Sequence, residues 1–508
     1  MRVKIILWLA LLIPVGWILG LHVNDPARVI LVIAMIFALI PAFRKYLINP
    51  VNFSKLQSRL MIAFIIVYPL IICAQHFVRV LAGSQGINFA YRTQVIANVT
   101  QKGGLYSSIL REDYSIINWL THHFNPVLFI PGLMGFIGIP AFSSQIFSLV
   151  LIIISTCFIL YRILKHLNYK NGALYLPIVF FLSIYSIRHP LTYGIEDEFF
   201  ALPAIALAFL FLFKQKFLLS CVNIAATFFV KESFFLLGIS WALMAFILYK
   251  KGLLGIKSKN LYYSYVLAGS GLMLFVLYTF GHELIFGQPY EHFHKSSGLS
   301  SFFNIEMVSD KLYNLFLLFL PFLFLPFYDR KCFLLMIPAL PIIVIMFYSD
   351  YMYKATDYYA VVPSFVILIS CIYCVPEKIR QMTSSAVPLI SIIILSIAFI
   401  YGTWKPLKII FEADPSGFVS YSDMEEVSTK YLKNDSNALV SLSLAPLSTM
   451  IDKLSVIENE SKISNRDFDL VIIRSSDTSD LKSDLQNFTI AVDTLGQNSN
   501  IYVYKSRY

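Results

Sequence analysis

Charged residues are scarce in this sequence. Only 14% of its 508 residues are Asp, Glu, Lys or Arg, whereas 57% are hydrophobic. A soluble chain of this length could not bury so much apolar surface, so we expect lipid to be its solvent. The net charge of +10 could suggest nucleic acid, but the basic residues are scattered between apolar runs and form no stripe. We therefore interpret them as topology signals and expect no nucleic-acid partner.

Cysteine is also rare, and the signatures of several enzyme classes are missing. The six cysteines lie in or beside apolar segments, which argues against a disulfide framework. Cys371 and Cys374 have C-x-x-C spacing, and we interpret them as helix-packing residues rather than a redox pair. The chain has no Walker loop, no G-x-G-x-x-G after a strand and no G-x-S-x-G turn. The sequence thus lacks the usual signatures of ATP-driven transporters and of serine hydrolases.

Long apolar runs dominate the rest of the chain. Thirteen of them are candidate membrane helices. They cover residues 4–23, 28–43, 60–79, 142–161, 172–187, 199–213, 217–230, 232–249, 262–285, 312–328, 332–348, 358–376 and 385–403. With the N-terminus in the cytoplasm, the inner loops carry 19 Lys and Arg residues, and the outer loops before the tail carry ten. This bias fits the positive-inside rule and predicts a mainly α, polytopic transmembrane bundle of about 13 helices.

Composition divides the chain into three parts. Residues 1–59 hold two additional N-terminal spans, and residues 60–403 form the core, whose first outer loop, 82–141, is too long for a simple turn. Within that loop, the apolar run 124–139 contains two prolines and three glycines, which favours a half-helix at the outer surface. After Trp404 the pattern alternates, so residues 404–508 are predicted to form a small α/β domain on the extracytoplasmic side. Its strands are predicted near 438–442, 468–473 and 501–504, and its helix near 420–432.

Two charged spots lie where spans begin or meet. Residues 196–198 read Glu-Asp-Glu at the start of a span, and Lys231-Glu232 joins two spans with almost no loop. Charges this close to hydrocarbon are rare unless they are paired or face a polar cavity. Two simpler alternatives stay open: an exposed acidic helix cap at 196–198 and a local ion pair between Lys231 and Glu232.

The histidines and acidic residues between positions 282 and 294 give little support for a metal or cofactor site. His282, His292 and His294, with Glu283 and Glu291, follow no established ligand spacing. The tyrosines around Tyr358 are typical of an aromatic belt at the membrane interface. The cofactor is therefore unknown, and a divalent metal stays an open alternative.

Several short motifs, taken in order, resemble the bacterial membrane proteins grouped as domain-of-unknown-function 2079. They are Asn88 to Gln94 with Tyr91, His123-Phe124-Asn125-Pro126, Gln145, Glu198 to Pro203, Lys231-Glu232, Tyr358 to Pro363 and a strand at Phe468 to Ile473. That family is in turn similar to the C-type glycosyltransferases, which take a sugar from a polyprenyl-phosphate carrier. The resemblance implies a C-type-like core and a location in the bacterial inner membrane.

In those enzymes a carboxylate in the first outer loop acts as base or positions the acceptor. Here the corresponding residue is Asn88, which cannot accept a proton at neutral pH. Either Asp113, Glu112 or Glu198 takes the role, or catalysis has been lost. The resemblance implies a site with catalytic candidates and substrate-binding candidates. They are Glu198, Asp113, Asn88 and His123 for catalysis, and Lys231, Glu232, Arg92, Gln94, Arg188 and Tyr358 for substrate binding.

The leading hypothesis is a glycosyltransferase that uses a lipid-linked sugar donor for a cell-envelope glycan. Its partners would be the bilayer, the polyprenyl-phosphate sugar and a glycan, lipid or protein acceptor. The alternatives are a transporter or flippase of a lipid-linked intermediate and a catalytically inactive interaction protein. The enzyme hypothesis predicts that His123, Glu198, Lys231 and Glu232 converge on one outward-facing cavity beneath residues 82–124. Asn88 and Asp113 are expected to join them there.

Overall fold

The computed structural model describes ten of the thirteen predicted spans, and all ten are helical. The spans predicted at 4–23, 28–43 and 385–403 lie outside the described residues. The described residues are 50–85, 87–107, 117–118, 120, 123–170, 172–193, 196–286, 305–322, 324–348, 354, 358–375, 406–407, 409–411, 413, 418–419, 421–431, 437–441, 444–447, 453–457, 470–474, 488–491 and 501–506.

The described helices are numbered in chain order. They are α1 Pro50–Leu81, α2 Ile87–Lys102, α3 Phe129–Leu133, α4 Ala141–His166, α5 Gly172–Ser183, α6 Tyr185–Tyr193, α7 Glu198–Phe213, α8 Phe217–Thr227, α9 Phe235–Lys250, α10 Ser258–Thr279, α11 His282–Phe286, α12 Ile305–Phe319, α13 Leu325–Tyr328, α14 Arg330–Met336, α15 Leu340–Tyr348, α16 Val361–Cys374 and α17 Tyr421–Tyr431. Short 3-10 turns extend several of them, including Glu232–Phe234 before α9 and Tyr358–Ala360 before α16.

Five continuous helical stretches are long and apolar enough to cross a membrane. They are Met61–Leu81, Ala141–His166, Glu232–Lys250, Ser258–Thr279 and Arg330–Phe347. Helices α5 and α6 together form a sixth candidate crossing, bent by 57° at the break between them. Shorter apolar helices, among them α7 and α8, pack between these. The protein is therefore a multi-pass membrane protein.

The loops between the helices gather at two ends of the bundle. At one end, His166 Nε2 lies 3.2 Å from the Phe213 carbonyl oxygen, and the Tyr169 hydroxyl donates to the Ile372 carbonyl oxygen at 2.7 Å. Basic residues of the neighbouring loops and helix ends are Arg162, Lys165, Lys170, Lys214 and Lys216. The opposite end holds the acidic residues Glu196, Asp197, Glu198 and Glu232. That the basic end faces the cytoplasm stays a prediction.

A short apolar helical segment, Pro126–Ile137, packs against α2. Glycine permits the close approach, because a Cβ at Gly132 would lie 2.5 Å from a Val99 methyl carbon, and one at Gly135 would lie 2.7 Å from Thr100. Apolar side chains of this segment remain exposed, namely Ile130, Leu133, Phe136 and Ile137. Its length of about 18 Å falls short of the hydrocarbon core, so this segment is too short for a full span, as predicted, and its place at the outer surface stays a prediction.

Two short antiparallel strands, β1 Tyr106–Ser107 and β2 Ile117–Asn118, follow α2. The strands of the C-terminal region are β3 Asn437–Ser441, β4 Lys453–Ile457, β5 Leu470–Arg474, β6 Phe488–Ala491 and β7 Ile501–Ser506. They form a five-stranded mixed sheet in the order β4-β3-β5-β7-β6. Strand β3 pairs in parallel with β4 and β5, whereas β7 pairs antiparallel with β5 and β6. Strands β3, β5 and β7 and helix α17 overlap the predicted stretches. Strands β4 and β6 escaped prediction because they are short and carry a weak alternation.

This region is not isolated from the membrane core. The Val419 backbone N–H donates to the Leu81 carbonyl oxygen at 3.2 Å, across the end of α1. The 3-10 turn Ala445–Leu447 lies against α2, and Leu444, Ala445 and Leu447 are fully buried. Buried apolar residues of the C-terminal region thus pack against α2. That residues 404–508 form a separate domain stays a prediction.

Because Leu447 is fully buried beside α2, we expect Leu447→Ala to leave a cavity there. The free energy of unfolding should fall by roughly 2–5 kcal/mol. Thermal unfolding in detergent checks this, with Phe411→Ala as a matched control, because Phe411 is 80% exposed. Equal melting temperatures for the two variants would contradict the packing described above.

The topology can be tested by cysteine labelling in a cysteine-free background. Gln101, exposed at the end of α2, and Lys216, exposed at the basic end, provide the two sites. An impermeant maleimide should label Gln101→Cys in intact cells, whereas Lys216→Cys should react only after permeabilisation. The reverse pattern would show that the positive-inside assignment is inverted.

A buried charged cluster as candidate active site

Charged side chains from four segments meet at the acidic end of the bundle. The segments are helix α2, residues 123–125 before the short apolar segment, residues 196–198 at the start of α7, and Lys231-Glu232 between α8 and α9. Most of these side chains are almost entirely buried. Burial of ionised groups is costly unless each finds a partner, so their pairing decides how the segments pack.

Arg92 of α2 holds the first part of the cluster. Its Nη2 donates to Glu196 Oε2 at 2.7 Å, and its Nε lies 3.2 Å from Asp197 Oδ1. The other carboxylate oxygen of Asp197 accepts a 2.9 Å hydrogen bond from Asn125 Nδ2. Burial by itself would lower the pKa of Arg92, but Asp197 and Glu196 outweigh that effect and raise it well above its usual value. Arg92 therefore stays charged and joins α2 to the chain before α7.

Lys231 is the cation in the second part of the charged cluster. Its Nζ donates to Glu198 Oε1 at 2.5 Å and lies 4.3 Å from the ring centre of Tyr359 and 5.2 Å from that of Tyr358. Desolvation opposes the charge of Lys231, but Glu198 and the two tyrosines raise its pKa well above the usual value. Glu198 is 1% exposed, and its Oε2 has no hydrogen-bond partner among the described residues.

Glu232 makes the third set of contacts. Its Oε2 accepts from the Phe124 backbone N–H at 3.1 Å, and its Oε1 lies 3.3 Å from His123 Nδ1. The His123 side chain is 19% exposed, more than any other ion-paired side chain in the cluster. The contacts tie the approach to the short apolar segment to the beginning of α9. His123 thus lies at the rim of the cluster, and the carboxylates lie inside it.

These contacts rule out the two simpler alternatives. Lys231 and Glu232 each find their nearest charged partner on another segment, so a local ion pair does not hold them. Glu196, Asp197 and Glu198 are buried, and the Asp197 side chain makes no helix-capping hydrogen bond. The exposed acidic cap is therefore also wrong. These three carboxylates are buried and pair with two cations from other segments, Arg92 and Lys231.

The other sequence candidates lie in different places. Asn88 is exposed on α2, and Asp113 and Glu112 lie outside the described residues. Gln94 accepts a 2.8 Å hydrogen bond from the Ser107 hydroxyl, which ties the chain after α2 back to the helix. Arg188 lies over the Tyr185 ring, with 5.3 Å from its guanidinium carbon to the ring centre.

The structure thus brings together Arg92, His123, Glu198, Lys231, Glu232 and Tyr358. Sequence reasoning missed Asn125 and Tyr359 as members of the cluster. Both lie inside motifs that it had singled out, next to His123 and Tyr358, and that adjacency was the available signal. Asn125 also carries a buried Oδ1 without a hydrogen-bond partner among the described residues.

A groove of about 200 Å³ runs beside the cluster along α2. It starts one turn beyond Arg92, between α2, the short apolar segment and the beginning of α4. Its lining includes Ile96, Thr100, Gln101, Gly135 and Ser144, and the charged residues of the cluster do not line it. That these charges share one outward-facing cavity stays a prediction.

A metal centre receives no support from the described residues. No three His, Cys, Asp or Glu side chains among them are arranged to hold a metal ion. Of the histidine-rich stretch considered above, His282 is buried beside Phe286, and His292 and His294 lie outside the described residues.

Solved structures provide the comparison. ArnT from Cupriavidus metallidurans, determined with bound undecaprenyl phosphate, matches 87% of this chain and 98% of its own length at 7% identity, with a TM-score of 0.50. The arabinofuranosyltransferase AftD from Mycobacteria matches 87% of this chain at 12% identity, with a TM-score of 0.48. This chain spans 40% of the length of AftD. No family model and no curated protein sequence matches.

This chain shares its fold with ArnT. The match covers nearly the whole of ArnT, and at 7% identity it concerns the fold alone. The multi-pass helical architecture expected from the sequence is therefore confirmed, and the C-type assignment stays a prediction. The resemblance to domain-of-unknown-function 2079 gains no support, since no family model matches.

Replacing Arg92 should test the pairing inside the cluster. We expect Arg92→Met to lower the free energy of unfolding by roughly 3–5 kcal/mol, because it leaves Glu196 and Asp197 buried without their cation. Adding Glu196→Gln and Asp197→Asn should restore much of the loss. Thermal unfolding in nanodiscs is the measurement, and Lys354→Met, at an exposed lysine, is the control. No recovery in the triple variant would contradict charge pairing as the role of Arg92.

Proposed function

We propose that the protein is an integral-membrane glycosyltransferase that uses a polyprenyl-phosphate-linked sugar. The reaction would take place at the outer face of the bacterial inner membrane and serve a cell-envelope glycan. One observation carries the proposal: a buried cluster of four carboxylates and two cations lies at one end of the bundle. The cluster belongs to a fold shared with a protein whose structure contains undecaprenyl phosphate.

The chemistry requires a base and a partner for the leaving phosphate. An acceptor hydroxyl gives its proton to a carboxylate, and its oxygen attacks the anomeric carbon of the sugar. The bond from that carbon to the phosphate oxygen breaks, and the carrier phosphate leaves with the electron pair. Lys231 is positioned to stabilise that phosphate, because a lysine ammonium binds phosphate as a mobile point charge.

Glu198 is the carboxylate best suited to act as base. Glu196 and Asp197 are committed to Arg92 and Asn125, and both oxygens of Glu232 have contacts. Glu198 contacts Lys231 through one oxygen and has a second without a hydrogen-bond partner among the described residues. His123, oriented by Glu232 at the rim, is the second candidate for proton transfer. Asn88 needs no role as base in this arrangement.

Turnover by purified protein in lipid vesicles tests the proposal. A panel of undecaprenyl-phosphate pentoses and hexoses serves as donors, and release of undecaprenyl phosphate is measured by mass spectrometry. Wild type should release the carrier, and Glu198→Gln should lower turnover by about 10²- to 10⁴-fold, as loss of a general base predicts. Glu426→Gln, which makes the same change at an exposed position, should leave turnover unchanged. Equal rates for both variants would remove Glu198 from the mechanism.

A further inference from the structure

The two cations of the cluster are held in different ways. Arg92 is fixed by its planar guanidinium between two carboxylates, Glu196 and Asp197. Among the described residues Lys231 donates one hydrogen bond, to one oxygen of Glu198, and its ammonium lies at the end of a flexible four-carbon chain. Lys231 is therefore the cation that can change its partner with the smaller disturbance of the packing.

The surroundings of Lys231 support such an exchange. The rings of Tyr359 and Tyr358 lie 4.3 and 5.2 Å from its Nζ and attract the ammonium independently of Glu198. The two rings thus hold the ammonium in place when Glu198 moves away. On the other side, Glu198 Oε2 has no hydrogen-bond partner among the described residues, so their contacts satisfy only one oxygen of this carboxylate.

We propose that Glu198 pairs with Lys231 while no phosphate is bound. An arriving phosphate group then replaces Glu198 as the partner of the Lys231 ammonium and releases the carboxylate. This inference rests on the proposed function and deepens it. The ligand class is a phosphate ester carried by a membrane lipid. No covalent bond changes in the exchange, since a carboxylate and a phosphate oxygen trade places at one ammonium.

The exchange would link binding to chemistry. Before the phosphate arrives, the Glu198 carboxylate is neutralised by Lys231 and buried away from water. After the exchange it carries an uncompensated charge in an apolar environment, which strengthens it as a base. The base would thus become available only when a donor is in place.

Direct binding measurements test the exchange, with undecaprenyl phosphate in nanodiscs and inorganic phosphate as the two probes. If Glu198 competes for Lys231, Glu198→Gln should tighten phosphate binding by about tenfold or more, because an anion next to the site is removed. Glu426→Gln is the matched control, since it makes the same change at an exposed position on α17, outside the cluster. Its effect should stay below about threefold.

A double variant separates exchange from a general change in charge. Lys231→Met should weaken binding by about tenfold or more, and Lys231→Met with Glu198→Gln should bind no tighter than Lys231→Met alone. This pair removes both charges and also guards against misfolding of a single variant, which thermal unfolding checks.

Each outcome has a defined meaning. A gain with undecaprenyl phosphate alone identifies the lipid as the source, and a gain with both probes identifies the phosphate group itself as the determinant; both support the exchange. Equal gains for Glu198→Gln and Glu426→Gln, or a gain that survives Lys231→Met, overturn the exchange and leave the proposed function in place. Failure of wild type and every variant to bind undecaprenyl phosphate overturns both.

Discussion

Buried charges at the acidic end of a membrane bundle constrain the whole arrangement. Hydrocarbon provides no water to stabilise an ion, so each charged side chain must find a partner within the protein. Arg92, Lys231 and the carboxylates opposite them meet that requirement across segments distant in sequence. The pairing fixes α2 against the start of α7 and the start of α7 against the chain before α9. The same contacts provide groups that can transfer a proton or bind an anion.

Close packing supplies the second constraint. Helix α2 carries Arg92, and it is held on one side by the glycines of the short apolar segment and on another by the C-terminal turn Ala445–Leu447. Any larger residue at Gly132 would push Val99 away and shift the helix. The position of the guanidinium therefore depends on apolar contacts some distance along the helix. Stability and site geometry are coupled through α2.

The likeness to ArnT gives this arrangement a chemical context without assigning residues. At 7% identity, the side chains of this chain must be argued from their own contacts. Those contacts separate roles that sequence reasoning had grouped together. Arg92 links α2 to the chain before α7, Lys231 pairs with Glu198, and Glu232 contacts His123. Gln94 holds the loop after its helix.

The sequence by itself determined the multi-pass membrane class, the helical character of the described apolar runs, the short apolar segment and the charged spots at 196–198 and 231–232. These follow from local composition, because partition into lipid depends on runs of neighbouring residues. Only the tertiary structure decided the partners, since Lys231 reaches back 33 residues to Glu198, and Glu232 reaches back 109 residues to His123. Adjacent residues with opposite charge suggested a local pair, but helix packing brings other partners closer. Pairing is a property of three-dimensional approach, which composition and periodicity do not encode.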